Sequence, residues 1–130
     1  MDCLTWSNNK LDEWFMLLII QQSEVDFNTV AFNNAREFVK VSLNHDYVYP
    51  GVGAASLNEI AFDWRAGTAY ISVVFEDDEY YLHVIREDGT VYSSTGSYAE
   101  FPFTKFAEEI KHFTDRVNNL NPTWKNLYSV

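Results

Sequence analysis

The chain has 130 residues, 47% of them apolar and 17% aromatic, with a formal net charge of −10 and one cysteine. This apolar content supplies one hydrophobic core and excludes intrinsic disorder despite the charge. The lone Cys3 excludes an intramolecular disulfide, and the acid excess argues against direct nucleic-acid binding, which needs clustered Lys and Arg.

Residues 10–22 predict a first helix. Leu11, Trp14, Phe15 and Leu18 share one face, and Met16, Leu17, Ile19 and Ile20 make the segment apolar nearly all round. It is too short to span a bilayer. Its flank is acidic and offers no basic start or small-residue cleavage site, so the expectation is a cytoplasmic protein with no membrane association. Residues 1–9 are expected to fray. A second helix is predicted over 29–42, capped by Asn28 or Thr29, with Ala31, Ala35, Phe38 and Val39 facing inward.

Residues 45–56 read as a loop, because Pro50, Gly51 and Gly53 interrupt regular structure. Beyond it the apolar period changes to two. Ile60, Phe62 and Trp64 mark one strand, and Ile71, Val73 and Phe75 a second, joined at Ala66-Gly67. A third spans residues 80–86 after the turn Glu76 to Glu79, with its inward parity open because Tyr80, Leu82 and Val84 match Tyr81, His83 and Ile85 in apolarity. Asp88-Gly89 signals another hairpin into a fourth strand near residues 90–95. The last helix is expected over 103–117, on the stripe Phe103, Phe106, Ile110, Phe113 and Val117, ending at a left-handed Asn118 or Asn119. Residues 121–130 form a tail.

The expected fold is a single α+β domain over 1–130. It is a four-stranded antiparallel meander with two N-terminal helices and one C-terminal helix, packed mainly on one face. The other face, with Tyr70, Ser72 and Val74, is left for water or a partner.

No residue pattern names a reaction. The run Glu76-Asp77-Asp78-Glu79 lacks the spacing of a calcium loop and reads as a solvated hairpin tip, since adjacent side chains cannot all face one ion. His45, His83 and His112 form no zinc-binding spacing. Gly51 to Ser56 superficially matches a phosphate loop, but it follows Pro50 and precedes strands rather than opening a helix. Acid pairs such as Glu59 with Asp63, or Asp77 with Glu87, read as surface charge. No catalytic residue, metal or cofactor is expected.

Charge placement says more. Residues 59–100 hold Glu59, Asp63, Glu76, Asp77, Asp78, Glu79, Glu87, Asp88 and Glu100 against only Arg65 and Arg86. Tyrosines fall in the same stretch, and their rings combine contact area with a polar tip. The expected partner-binding residues are Glu76, Asp77, Asp78, Glu79, Glu87 and Asp88 for charge, with Tyr70, Tyr81 and Tyr92 for contact.

Ala35-Arg36-Glu37-Phe38, Pro50, Glu59-Ile60-Ala61-Phe62-Asp63-Trp64 and Gly67, followed by a meander and an amphipathic helix, resemble a loose group of small, mostly uncharacterised bacterial and mobile-element α+β proteins. The resemblance covers about residues 31–117 and implies no catalytic residues. In size and acidity alone the chain is also similar to phage-encoded inhibitors of host defence, of the anti-CRISPR and DNA-mimic type. The expected function is a non-enzymatic acidic module that binds a basic surface of another protein, as an inhibitor of a nucleic-acid-binding site would. The alternatives are a self-associating module that dimerises through the first helix, and a small hydrolase or transferase with an unrecognised site.

Overall fold

The computed structural model describes residues 15–16, 29–44, 46–56 and 59–123, with the side chains of 54–56 outside that description. Helix α1 (Val30–Ser42) is followed by strands β1 (Gly51–Ser56), β2 (Glu59–Ala66), β3 (Ala69–Glu76), β4 (Glu79–Ile85) and β5 (Val91–Ser97). A single 3₁₀ turn (Tyr98–Glu100) then leads into helix α2 (Phe103–Leu120).

The strands form one five-stranded antiparallel meander in sequence order. The sheet therefore has one strand more than the expected four. The extra strand is β1, where a loop was expected. Gly51, Val52 and Gly53 pair with Asp63, Phe62 and Ala61 before the register slips ahead of Ser56. The segment lacks an alternating apolar pattern because two of its first three residues have no side chain, so the backbone ladder sets its conformation. At Gly51 the absence of a Cβ matters, since one would lie 2.9 Å from Asp63 Oδ1.

The predicted first helix lies mostly outside the described residues, as do Cys3, His45 and most of the tail. Phe15 and Met16 are helical. Phe15 is fully buried, with its ring 5.7 Å from that of Phe62 and 6.0 Å from that of Phe32. It therefore packs into the protein's own core. Two helices, α1 and α2, stand among the described elements where three were expected.

Thr29 caps α1: its side-chain oxygen accepts from the Phe32 N–H at 3.2 Å. The buried face is Ala31, Phe32, Ala35, Phe38 and Val39. Phe38 sits at the centre, with ring centroids of Phe62, Phe75, Phe101 and Phe106 between 5.0 and 5.5 Å away. Helix α2 adds Phe106, Ile110 and Phe113. It passes the expected stop at Asn118 and Asn119 and ends at Asn121, whose φ of −147° is extended rather than left-handed. The carbonyl of Val117 accepts the Asn121 N–H at 2.7 Å, so the last turn closes without a left-handed residue.

Strand parity follows the sequence pattern and settles β4. Tyr80, Leu82 and Val84 face the helices with Ile60, Phe62, Trp64, Ile71, Val73 and Phe75. Trp64 is nearly inaccessible and donates its indole N–H to the Val48 carbonyl at 2.7 Å. Among the described residues, no helix is long and apolar enough to cross a membrane.

Candidate functional site

Helices α1 and α2 pack on one face of the sheet, and its other face lies outside the core they form. Its residues form cross-strand rows fixed by the ladder. One row runs Asp63, Ser72, His83, Ser93, and the next runs Ala61, Val74, Tyr81, Thr95. The end row is Glu59, Glu76, Glu79, Ser97. Three carboxylates thus stand directly opposite one another on adjacent strands, where like charges destabilise a sheet.

The turn between β3 and β4 adds Asp77 and Asp78. Asp77 adopts φ +51°, a left-handed conformation that Asp tolerates better than most residues. Asp78 is tied inward, because its carbonyl accepts the Tyr98 N–H at 2.8 Å and its carboxylate accepts the Asn34 side-chain amide at 3.1 Å. Crowding shows in the titration of Glu76. A hydrogen bond with Glu59, then slight burial and the charges of Glu59, Asp77 and Glu79, raise its carboxyl above the usual range. The Tyr81 hydroxyl donates to Glu79 at 3.1 Å, which with the Glu79 charge pushes the phenol up.

Ion pairs sit elsewhere. Among the described residues Arg86 and Lys105 meet Glu109, Lys111 meets Asp115, and Glu87 meets His112, an ion pair only when that imidazole is protonated. None of Glu59, Glu76, Asp77, Asp78 or Glu79 pairs with a cation among the described residues. Nor do the described residues include a group of three His, Cys, Asp or Glu able to hold a metal ion.

The residues singled out in the sequence do not form one patch. Glu76, Asp77, Asp78, Glu79 and Tyr81 gather at one end of the sheet. Glu87 and Asp88 occupy the β4–β5 turn at the opposite end, about 20 Å away at the rise of an extended strand. Tyr70 is on the outer face but lies at that far end, opposite Ile85 and beneath the Arg65 guanidinium, 4.7 Å from its ring centroid. Tyr92 is on the other side altogether. It pairs with Val84, packs against the core and carries the Lys105 ammonium 4.9 Å above its ring. The alternation of β5 decides this, since Tyr92 shares the parity of Ser94 and Gly96 rather than that of Ser93 and Thr95.

Glu87 and Asp88 are also partly engaged within the protein. Glu87 accepts from His112 Nε2 at 2.9 and 3.1 Å, and a backbone hydrogen bond, then the His112 contact, lower its carboxyl against the effect of burial. Asp88 accepts the Thr90 N–H at 2.8 Å, and its contacts with Thr90 hold it below the usual range. Nearby, Arg86 grips Glu109 through two bonds, Nε to Oε1 at 2.9 Å and Nη2 to Oε2 at 2.7 Å, and Lys105 lies 3.2 Å from Oε2. The Arg86 bonds, opposed by burial and aided by Lys105, lower the Glu109 carboxyl.

No family model matches the chain, and neither a curated protein nor a solved structure does. The function must therefore be read from the geometry. Glu59 is the residue that the sequence reading left out of the site. The turn expected at Ala66-Gly67 would set Glu59 against Val74; the turn instead falls at Gly67-Thr68, pairs Ala66 with Ala69, and so sets Glu59 against Glu76. The His83 Nδ1–Ser93 Oγ contact, at 2.6 Å, is the closest approach to a nucleophile–base pair on this face. It lies on an open pleated surface, and among the described residues the imidazole's other neighbour is the Tyr70 ring, edge-on with centroids 6.5 Å apart, rather than the hydrogen-bonding third group that nucleophilic activation requires.

Proposed function

We propose that this protein is a binding module whose acidic sheet end engages a cationic surface on another protein. The observation that carries this reading is the row Glu59, Glu76 and Glu79, extended by Asp77 and left without internal countercharge among the described residues. Such an array costs stability in the isolated fold, and a cationic partner would offset that cost. Tyr81 supplies an exposed aromatic ring beside the carboxylates, suited to lying against a guanidinium or ammonium. A protein that normally grips a phosphate backbone offers such a surface, so inhibition by occupying that surface is the mode this reading favours.

The test is binding kinetics on a partner captured from the native host, with the wild-type chain and a Glu59→Gln/Glu76→Gln/Glu79→Gln variant. Association should slow by about tenfold or more in the variant, with a smaller change in dissociation. It should slow similarly for the wild type as salt rises from about 0.05 to about 0.5 M. Equal association rates in all these conditions would remove the charge-based reading.

A further inference from the structure

The hydrogen-bonding phase of β5 identifies which of its backbone groups are free. At one end of the β4–β5 ladder the Arg86 N–H donates to the Thr90 carbonyl at 2.8 Å; at the other the Tyr98 N–H donates to the Asp78 carbonyl at 2.8 Å. In an antiparallel pair such bonded pairs recur at every second residue. Val84 with Tyr92, Leu82 with Ser94 and Tyr80 with Gly96 are therefore the bonded pairs between them. The N–H and C=O groups of Val91, Ser93 and Thr95 and the N–H of Ser97 consequently point away from the sheet, while the Ser97 carbonyl opens the 3₁₀ turn that follows. Since β5 ends the strand order, no described strand receives them.

Sheet edges of this kind are usually blunted by a charge, a proline, a bulge or a very short strand. The opposite edge, β1, shows two such devices: Pro50 immediately precedes it, and its register slips between Gly53 and Ser56. β5, Val-Tyr-Ser-Ser-Thr-Gly-Ser, has none of these in its seven residues and pairs with β4 without a slip. Its charges lie beyond its ends instead. Glu87 and Asp88 precede it, Glu100 follows it, and Glu79 stands beside Ser97.

We infer that β5 is a docking edge, and that an extended basic segment of a partner protein adds to it as a sixth strand. The open donors and acceptors fix the geometry, and the charges select the occupant. A strand beside β5 with lysines or arginines at both ends and uncharged residues between them meets carboxylates at each end. A second copy of this chain is disfavoured by the same charges. Two β5 strands paired antiparallel about a two-fold axis would bring the Glu79/Glu100 end of one onto the Glu87/Asp88 end of the other, in chains that each carry a formal −10. The inference deepens the proposed binding function and rests on it: it specifies the shape of the cationic element.

The probe is a synthetic peptide with a Lys-Arg pair at each end and alternating Val and Thr between, alongside a version with Gln in place of every cation. The readout is residue-resolved amide hydrogen exchange by NMR. The basic peptide should slow exchange at Val91, Ser93, Thr95 and Ser97 by tenfold or more. Tyr92, Ser94 and Gly96, already in the ladder, should change little. The Gln version should bind at least tenfold more weakly. Ser93→Pro removes an outward donor without touching a ladder bond and should weaken binding tenfold or more. Ser93→Ala keeps that donor while losing the same hydroxyl contact to His83, and should bind like the wild type. If the proline variant fails to fold, the exchange pattern and the alanine variant still decide.

Basic-peptide binding that leaves the four outward amides fast would overturn the docking edge while leaving the acidic-surface reading intact. Protection of those amides without peptide would overturn the proposed occupant, in favour of a second copy if it grows with protein concentration, or of another part of the same chain if it does not. No binding of the basic peptide would also overturn the inference, whereas the acidic-surface reading is decided separately by the kinetics of the triple Gln variant.

Discussion

Glu109 is the most informative single position for testing the energetics of this fold. Its side chain is 2% exposed on the inner side of α2, yet it is charged, bound at two points by Arg86 and approached by Lys105. Glu109→Ala would leave two cations facing a small cavity. Removing one partner of a fully buried ion pair costs about 3–5 kcal/mol. Here the cations are a third exposed, Arg86 at 33% and Lys105 at 35%, and can rehydrate once released. The expected loss is therefore lower, about 2–3 kcal/mol. For a chain of this length that corresponds to a fall in Tm of roughly 6–15 °C. Urea and thermal unfolding followed by circular dichroism measure it. A double-mutant cycle with Arg86→Leu should return a coupling of about 1–2 kcal/mol, because the two sites share their bonds.

The pH dependence carries a definite sign. The folded Glu109 carboxyl titrates below its ordinary value. Its contribution is present above the unfolded carboxylate pKa, about 4.3, and disappears as pH falls through the lowered folded value. The difference between wild type and Glu109→Ala should thus be full at neutral pH and shrink below about pH 4. A variant within about 0.5 kcal/mol of wild type at pH 7 would refute the idea that this clamp holds α2 to the β4–β5 end of the sheet.

Two further expectations test the core and the acidic row. Phe38→Ala should cost about 3–5 kcal/mol in chemical denaturation, since its ring is fully buried between four other phenylalanines and cannot be replaced by collapse around one small void; a cost below about 1 kcal/mol would mean that α1 is not seated as described. Glu76→Gln should raise the melting temperature at neutral pH, since the folded carboxyl is raised and its ionisation works against folding. That gain should fade as pH falls through the raised pKa and the wild-type carboxyl takes up its proton, and a destabilised Gln variant at pH 7 would contradict the crowding.

The sequence made the helices and the middle strands legible through the spacing of large side chains. Phe38 and Val39 on one stripe, and Ile71, Val73 and Phe75 on another, repeat at the periods of helix and strand. β1 was illegible for a physical reason. Its glycines contribute to no side-chain period, and its pairing depends on a partner strand that local pattern does not reveal. The candidate site residues were legible in kind but not in place. Acid content was visible, but turn register sets Glu59 against Glu76, and strand parity sends Tyr92 inward. Glu109 escaped notice because charge predicts exposure unless a partner is near, and Arg86 lies 23 residues away along the chain. Lys105, four residues earlier on the same helix, was the available local hint.

Each strand of the meander pairs with the one that follows it in the chain. Assembly therefore requires only the closing of short loops, and no strand must wait for a distant segment. Such a sheet can zip from any hairpin in either direction, with α1 and α2 docking once a pleated surface exists. Topology of this sort places folding on a timescale of about milliseconds, so the nascent chain passes quickly through the stage at which its apolar sheet face is uncovered.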